Sequence, residues 1–211
     1  IDNARKNLAA EIPGWNFNEV RQASSDIWNQ ALGQIAVKGN NEKEKVKFYS
    51  ALYNAHFLPR TFSDVDGSYP RFDGDGQIMK MNHGTYYCDF SQWDTYRAVH
   101  PLFSILTPSR NGDMAHSLVL KGQQGGWLPI FPSWNSYTAA MIGDHCIAMI
   151  GDAIVKDTPG FDYEEAYTLM RKNAFEANPD SASYRDGKGR RAIESYLKYN
   201  YVPLELSLIH I

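Results

Sequence analysis

The sequence predicts an all-α domain of helical hairpins joined by long loops. Three observations carry that reading. Apolar residues recur at three- and four-residue spacing along most segments, capping signatures open two of those segments, and alternating apolar-polar runs are scarce.

Taken in order, Asn16 and Glu19 form a capping box, and Val20, Ala23, Ile27, Ala31 and Ile35 then hold one apolar stripe until Gly39. After a charged turn at 41–45, Val46, Tyr49, Leu52, Tyr53 and His56 share a second helical face, which Pro59 stops. Residues 61–84 are rich in Gly, Asp, Ser and Pro and read as a long loop with a short hairpin around 77–81. Ser91 caps a helix over 93–98, Pro101 permits a fresh start, and 111–121 make another helix ended by Gly125-Gly126. Asn135 or Ser136 then caps the most apolar segment, which runs to Lys156 with hydrophobic residues on nearly all sides, as in a helix surrounded by protein. Asp162 with Glu165 opens a helix reaching about Phe175, and 189–197 give a last short one before Pro203.

Composition narrows the function classes. A chain of 211 residues that is 43% hydrophobic can bury a sizeable core, so disorder is not expected. A net charge of -3 without any Lys/Arg-rich run leaves no field to recruit a phosphate backbone, which argues against nucleic acid as a partner. No apolar run spans a bilayer, since the best stretch, 139–155, is broken by Gly143, Asp144, His145 and Asp152. Cys88 and Cys146 either pair or stay free, with free buried thiols favoured in a domain this large. The first residue, Ile1, already reads as mid-domain sequence, and residues 206–211 reverse-translate as CTG TCT CTT ATA CAC ATC, a sequencing-library transposon end. The expectation is an internal fragment over 1–205, followed by a cloning scar.

Chemistry concentrates in a few places. Sugars present a weakly apolar face and a rim of hydroxyls, so their sites pair flat rings with charged hydrogen-bonding groups. Trp93, Asp94 and Arg97 supply that mixture within one stretch, although a core Trp beside an Asp94–Arg97 helix pair is the competing reading. Trp127 and Trp134 flank a proline-stiffened segment, where they either present rings to a ligand or seal the core. Asp144 and His145 fall one turn inside the apolar helix, where ionisable groups are costly unless bonded or lining a wet cavity. Asp64, Asp66, Asp73 and Asp75 lack the glycine of a calcium loop and read as a solvated turn. Zinc-type spacing, a nucleophile elbow and a phosphate-cradling loop are all absent from the sequence.

Together, Phe62-Ser63-Asp64-Val65-Asp66-Gly67, Trp93-Asp94-Thr95-Tyr96-Arg97 with His100-Pro101-Leu102, Gly126-Trp127-Leu128-Pro129 and Met141-Ile142-Gly143 resemble glycoside hydrolase family 92, calcium-dependent exo-acting α-mannosidases. The resemblance implies that 1–205 is the central part of an (α/α)6 barrel, or toroid, catalytic domain, preceded in the parent protein by an N-terminal β-sandwich. It implies an inverting exo-α-mannosidase, of α-1,2 type, acting on mannose-containing glycans in a secreted or periplasmic setting. Inversion needs one carboxylic acid and one carboxylate, about 6.5–9.5 Å apart to admit water. By resemblance the base follows Glu205, Ca2+ is held mainly by residues outside this sequence, and Trp93, Asp94 and Arg97 line the sugar subsite, with Trp127, Asp144 and His145 as further substrate contacts. The family acid is a Glu between Asn and Thr, just before Met-Ile-Gly. Here the matching residues are Ser136-Tyr137-Thr138, so Tyr137 takes the acid's place. A phenol titrating near about 10 is a weak donor to an alkoxide at neutral pH. The alternatives are therefore a non-catalytic carbohydrate-binding or scaffolding relative, or a glycosidase of changed substrate. In either case the isolated chain is expected to be inactive.

Overall fold

Helix-forming periodicity survives folding, while several boundaries move to where the backbone turns left-handed. A computed structural model describes residues 1–74, 76–180, 182 and 186–206, so Asp75 and nearly all of the expected scar lie outside the described residues. The chain divides into two units, Ile1–Leu58 with Asp64–Asp66, and Pro59–Ser63 with Gly67 onward.

The first unit holds α1 (Asp2–Glu11), α2 (Phe17–Leu32) and α3 (Glu42–Ala55). Helix α1 carries no sequence signature strong enough to have been expected. Asn16 caps α2 as anticipated, accepting from the Asn18 N–H at 3.1 Å and donating to Glu19 at 2.8 Å. The helix ends at Gly33 instead of Gly39, so Ile35 leaves the stripe and its carbonyl accepts from the Tyr49 hydroxyl at 2.9 Å. The expected charged turn at 41–45 is really the first turn of α3, because the Asn41 side chain accepts from the N–H groups of Lys43 and Glu44. Trp28 packs on Tyr53 with ring centroids 4.3 Å apart, which joins α2 to α3. Asp64 accepts from Asn3 and Asn7 at 2.9 and 2.6 Å, tying this short segment to α1.

The second unit opens with two small antiparallel ladders, a departure from a purely α reading. Strand β1 (Arg60–Thr61) pairs with β4 (Tyr87–Cys88), and β2 (Ser68–Pro70) pairs with β3 (Ile78–Lys80), so the stretch expected to form a hairpin around 77–81 is one strand of a wider one. Helices α4 (Gln92–Thr95), α5 (Val99–Leu106), α6 (Pro108–Gly125), α7 (His145–Val155), α8 (Tyr163–Phe175) and α9 (Ile193–Tyr199) follow, with a 3-10 turn at Leu204–Leu206. Thus the described residues are mostly helical.

Helix α6 is the spine of this unit. It starts three residues before the expected 111, since Pro108 occupies N1, where its missing N–H costs nothing. Gly126, at φ 88, closes it with the left-handed cap that its glycine pair announces. Met114, Leu118 and Val119 of α6 meet Phe103 of α5, Met149 and Ile150 of α7, and Leu169 of α8 in one core. Gly112 lets a loop approach α6 closely, for a Cβ there would lie 1.8 Å from the Pro159 carbonyl oxygen. Cys88 and Cys146 are free and buried.

The largest correction concerns α7. It begins at His145, not at 135–136, because Met141 and Gly143 take φ values of 63 and 88, which no right-handed helix accommodates. Residues 127–144 are instead an irregular segment stitched to the core. Among the described residues no helix is long and apolar enough to cross a membrane.

Candidate functional site

Trp93 sits on the short helix α4 and is 38% exposed. The Arg97 guanidinium lies over its indole, 4.3 Å from the ring centroid, and Nη2 donates to the Trp93 carbonyl at 2.8 Å. That stack fixes both groups with a cation on one aromatic face. Asp94 accepts from the Ser91 hydroxyl, so the competing reading of an i,i+3 pair with Arg97 is not realised, and Ser91, expected to cap this helix, makes no side-chain cap hydrogen bond. His145 meets this cluster from the start of α7, edge-on to Trp93 at 6.5 Å and 4.6 Å from the Tyr96 ring. Partial burial and the neighbouring Arg97 charge lower the His145 pKa. One imidazole nitrogen is hydrogen-bonded to the Ile142 backbone, and in the neutral ring the other is an acceptor beside a guanidinium and two rings.

Asp144 is the N-cap position of α7, not an interior helix residue as expected. Its Oδ1 takes a long contact of 3.5 Å from Asn173, whereas Oδ2 is buried with no hydrogen-bond partner. Burial pushes its pKa up to about 6, against the opposing Arg190 charge. A carboxyl held there exchanges a proton near neutral pH, which suits acid-base work. Asn173 also brackets Leu128, accepting its N–H at 3.1 Å and donating to its carbonyl at 3.1 Å.

Tyr137 and Trp127 are in the core. The Tyr137 hydroxyl donates to the Trp127 carbonyl at 2.5 Å and accepts the Trp127 N–H at 3.2 Å, while its ring packs on Phe72. Burial raises its pKa above the ordinary phenol value, so this hydroxyl is committed to the backbone and holds its proton. Trp127 is 7% exposed, with the Lys172 ammonium 4.4 Å from its ring centroid. Of the two proline-segment indoles, Trp134 is the displayed one, at 79% exposure.

The expected site therefore splits. Trp93, Arg97 and His145 cluster, with Asp94 on the same short helix and Asp144 adjoining through His145, whereas Trp127 and Tyr137 are buried in a separate group with Phe72. Tyr96 was overlooked, although Trp93, Tyr96 and Arg97 at i, i+3 and i+4 mark one helical face. Asn173 and Arg190 carried no local signal, since only tertiary packing brings them to Asp144.

The model of the glycosyl hydrolase family 92 catalytic domain matches residues 3–208. The chain belongs to glycosyl hydrolase family 92. A solved family 92 α-mannosidase from Bacteroides thetaiotaomicron, in complex with mannoimidazole, is 34% identical over 97% of this chain, with a TM-score of 0.84 and 25% of its own length covered. A family 92 inverting mannosidase from the same organism is 28% identical over 96% of this chain, with a TM-score of 0.85 and 27% of its length covered. A third family 92 structure, 23% identical over 87% of this chain and 26% of its own, has a TM-score of 0.65 and shares the fold. The chain thus spans about a quarter of the length of the solved structures it matches. No curated protein matches it.

Calcium is implied for the family, but the described residues do not fit a site for it. Among them no three His, Cys, Asp or Glu side chains converge on a common point. Asp64 is engaged by Asn3 and Asn7, and Asp73 by Lys188 at 2.5 Å.

Proposed function

We propose that the protein containing this chain is a glycosidase that removes terminal α-linked mannose from glycans with inversion, and that this chain supplies one wall of the sugar site. The observation that carries the reading is the exposed cluster of Trp93, Arg97, Tyr96 and His145, a flat ring and fixed hydrogen-bonding groups of the kind a pyranose requires. Mannosidase relatives of the same fold support the substrate class. The α-1,2 preference, a (α/α)6 toroid closed by further helices, a preceding β-sandwich, calcium bound by residues outside the described ones, and a secreted or periplasmic location belong to the same proposal.

Within it, Trp93 stacks on the sugar ring, Arg97 and Asp94 bind hydroxyls, and Asp144 is the group on this chain suited to hold a proton near neutral pH. Water activation falls to a carboxylate outside the chain. The test is hydrolysis of an α-mannose disaccharide by the full-length protein, followed by NMR of the first-formed anomer. Release of β-mannose, with KM raised about tenfold or more in Trp93→Ala, is the expected result. Retention of configuration, or no turnover of any α-mannoside, overturns it.

A second reading, a glycosidase of changed substrate, is favoured by one observation. Tyr137, at the position of the family acid, is bound to the Trp127 backbone and donates no proton to a leaving group. A leaving group that departs as a stable anion needs none. Turnover of α-mannosyl fluoride without turnover of alkyl α-mannosides would select this reading.

A further inference from the structure

Trp134 is 79% exposed, yet its backbone is tightly held. Trp134, Asn135 and Asp89, with φ of 49, 58 and 61, all occupy the left-handed region; Asn and Asp enter it readily, but a bulky aromatic keeps it only when its surroundings force it. Those surroundings are specific. The buried Asp89 carboxylate accepts from the Trp134 N–H at 2.9 Å and the Ser133 hydroxyl at 3.2 Å, and it is paired with the Arg60 guanidinium. Asn135, 6% exposed, donates to the Pro70 and Arg71 carbonyls at 2.7 and 3.2 Å, accepts from the Tyr86 hydroxyl at 2.8 Å, and sends its N–H to Cys88 Sγ at 3.2 Å.

A Trp ordinarily recovers the cost of being ordered by burial. This one gains none, although a network of buried polar groups and three left-handed residues hold it out. The turn is also tied to the sugar cluster. Phe90 donates its N–H to the Pro132 carbonyl at 3.1 Å, and Asp89 lies four residues before Trp93, a separation of at most about 14 Å even in extended chain. Two exposed indoles, Trp93 and Trp134, thus stand on directly connected backbone.

We propose that Trp134 is a stacking platform for a second sugar ring, beyond the one held at Trp93, and so a specificity-determining residue of the mannoside site. The inference rests on the mannoside reading above. Aromatic stacking accepts the apolar face of a pyranose without reading every hydroxyl, so the platform favours longer glycans over free mannose.

The experiment is calorimetric titration of the full-length protein, and of its Trp134→Gly and Trp134→Phe variants, with mannose and with a non-hydrolysable thio-linked α-mannose disaccharide, alongside thermal melts. Trp134→Gly is expected to weaken disaccharide binding about tenfold and leave mannose binding unchanged. Its melting temperature stays level or rises, because glycine adopts the left-handed turn freely. Trp134→Phe keeps most of the disaccharide affinity. Equal losses for both sugars, no loss for either, or a fall in melting temperature showing the indole covered by other protein would overturn the platform alone. If the unaltered protein binds neither sugar, the mannoside reading fails and the platform with it.

Discussion

Asp144 and Tyr137 show how burial sets the role of a polar side chain. The Asp144 carboxyl is raised from 3.8 to about 6 by burial. Between those values the folded chain keeps a proton at Asp144 that the unfolded chain loses, so this group's contribution to stability is complete below pH 4 and is lost as pH rises through 6. At neutral pH the ionised group costs about 3 kcal/mol. Asp144→Asn is therefore expected to raise denaturant-measured stability by about 2–3 kcal/mol at pH 8 and to change little at pH 4. If Asp144 also transfers the proton in the proposed reaction, the same variant loses the alkaline limb of the pH-rate profile, which an acid of pKa about 6 sets. Tyr137→Phe removes one hydroxyl that satisfies both backbone groups of Trp127, and a loss of about 1–3 kcal/mol is expected in urea melts.

At the scale of elements, close approach decides which helices can pack. Gly112 admits the Pro159 carbonyl against α6, so Gly112→Ala forces that loop away and is expected to lower stability by several kcal/mol, about 3 or more, in thermal or denaturant melts. Gly143 both ends the 127–144 segment and accommodates His145, whose Cε1 would lie 2.3 Å from an added Cβ. Gly143→Ala is expected to displace the imidazole from Tyr96 and weaken sugar binding in titrations. Only strand β3 of the β2–β3 hairpin was legible, as the expected 77–81 turn region, and β1–β4 was not, since two-residue strands paired across an intervening loop leave no alternation to read.

For the whole molecule, buried His100 opposes Asp144. Burial lowers its pKa from 6.5 to about 4, with Nδ1 bonded to Asn111 at 3.1 Å. Its contribution is complete above pH 6.5 and is lost as pH falls toward 4, about 3 kcal/mol in all. Across pH 4–6 the two groups offset each other, so acid titration of the chain should be nearly flat there, and His100→Asn should expose a rising stability toward pH 4. Helices α2, α3, α6 and α8 and the caps at Asn16, Asp162 and Gly126 followed from the sequence alone, because periodicity and capping are local properties. Tertiary structure alone decided that α7 starts at His145, that Trp127 and Tyr137 are internal while Trp134 is displayed, and that Asp144 meets Asn173. Left-handed turns and burial depend on partners distant in the chain, and no short window of residues contains them.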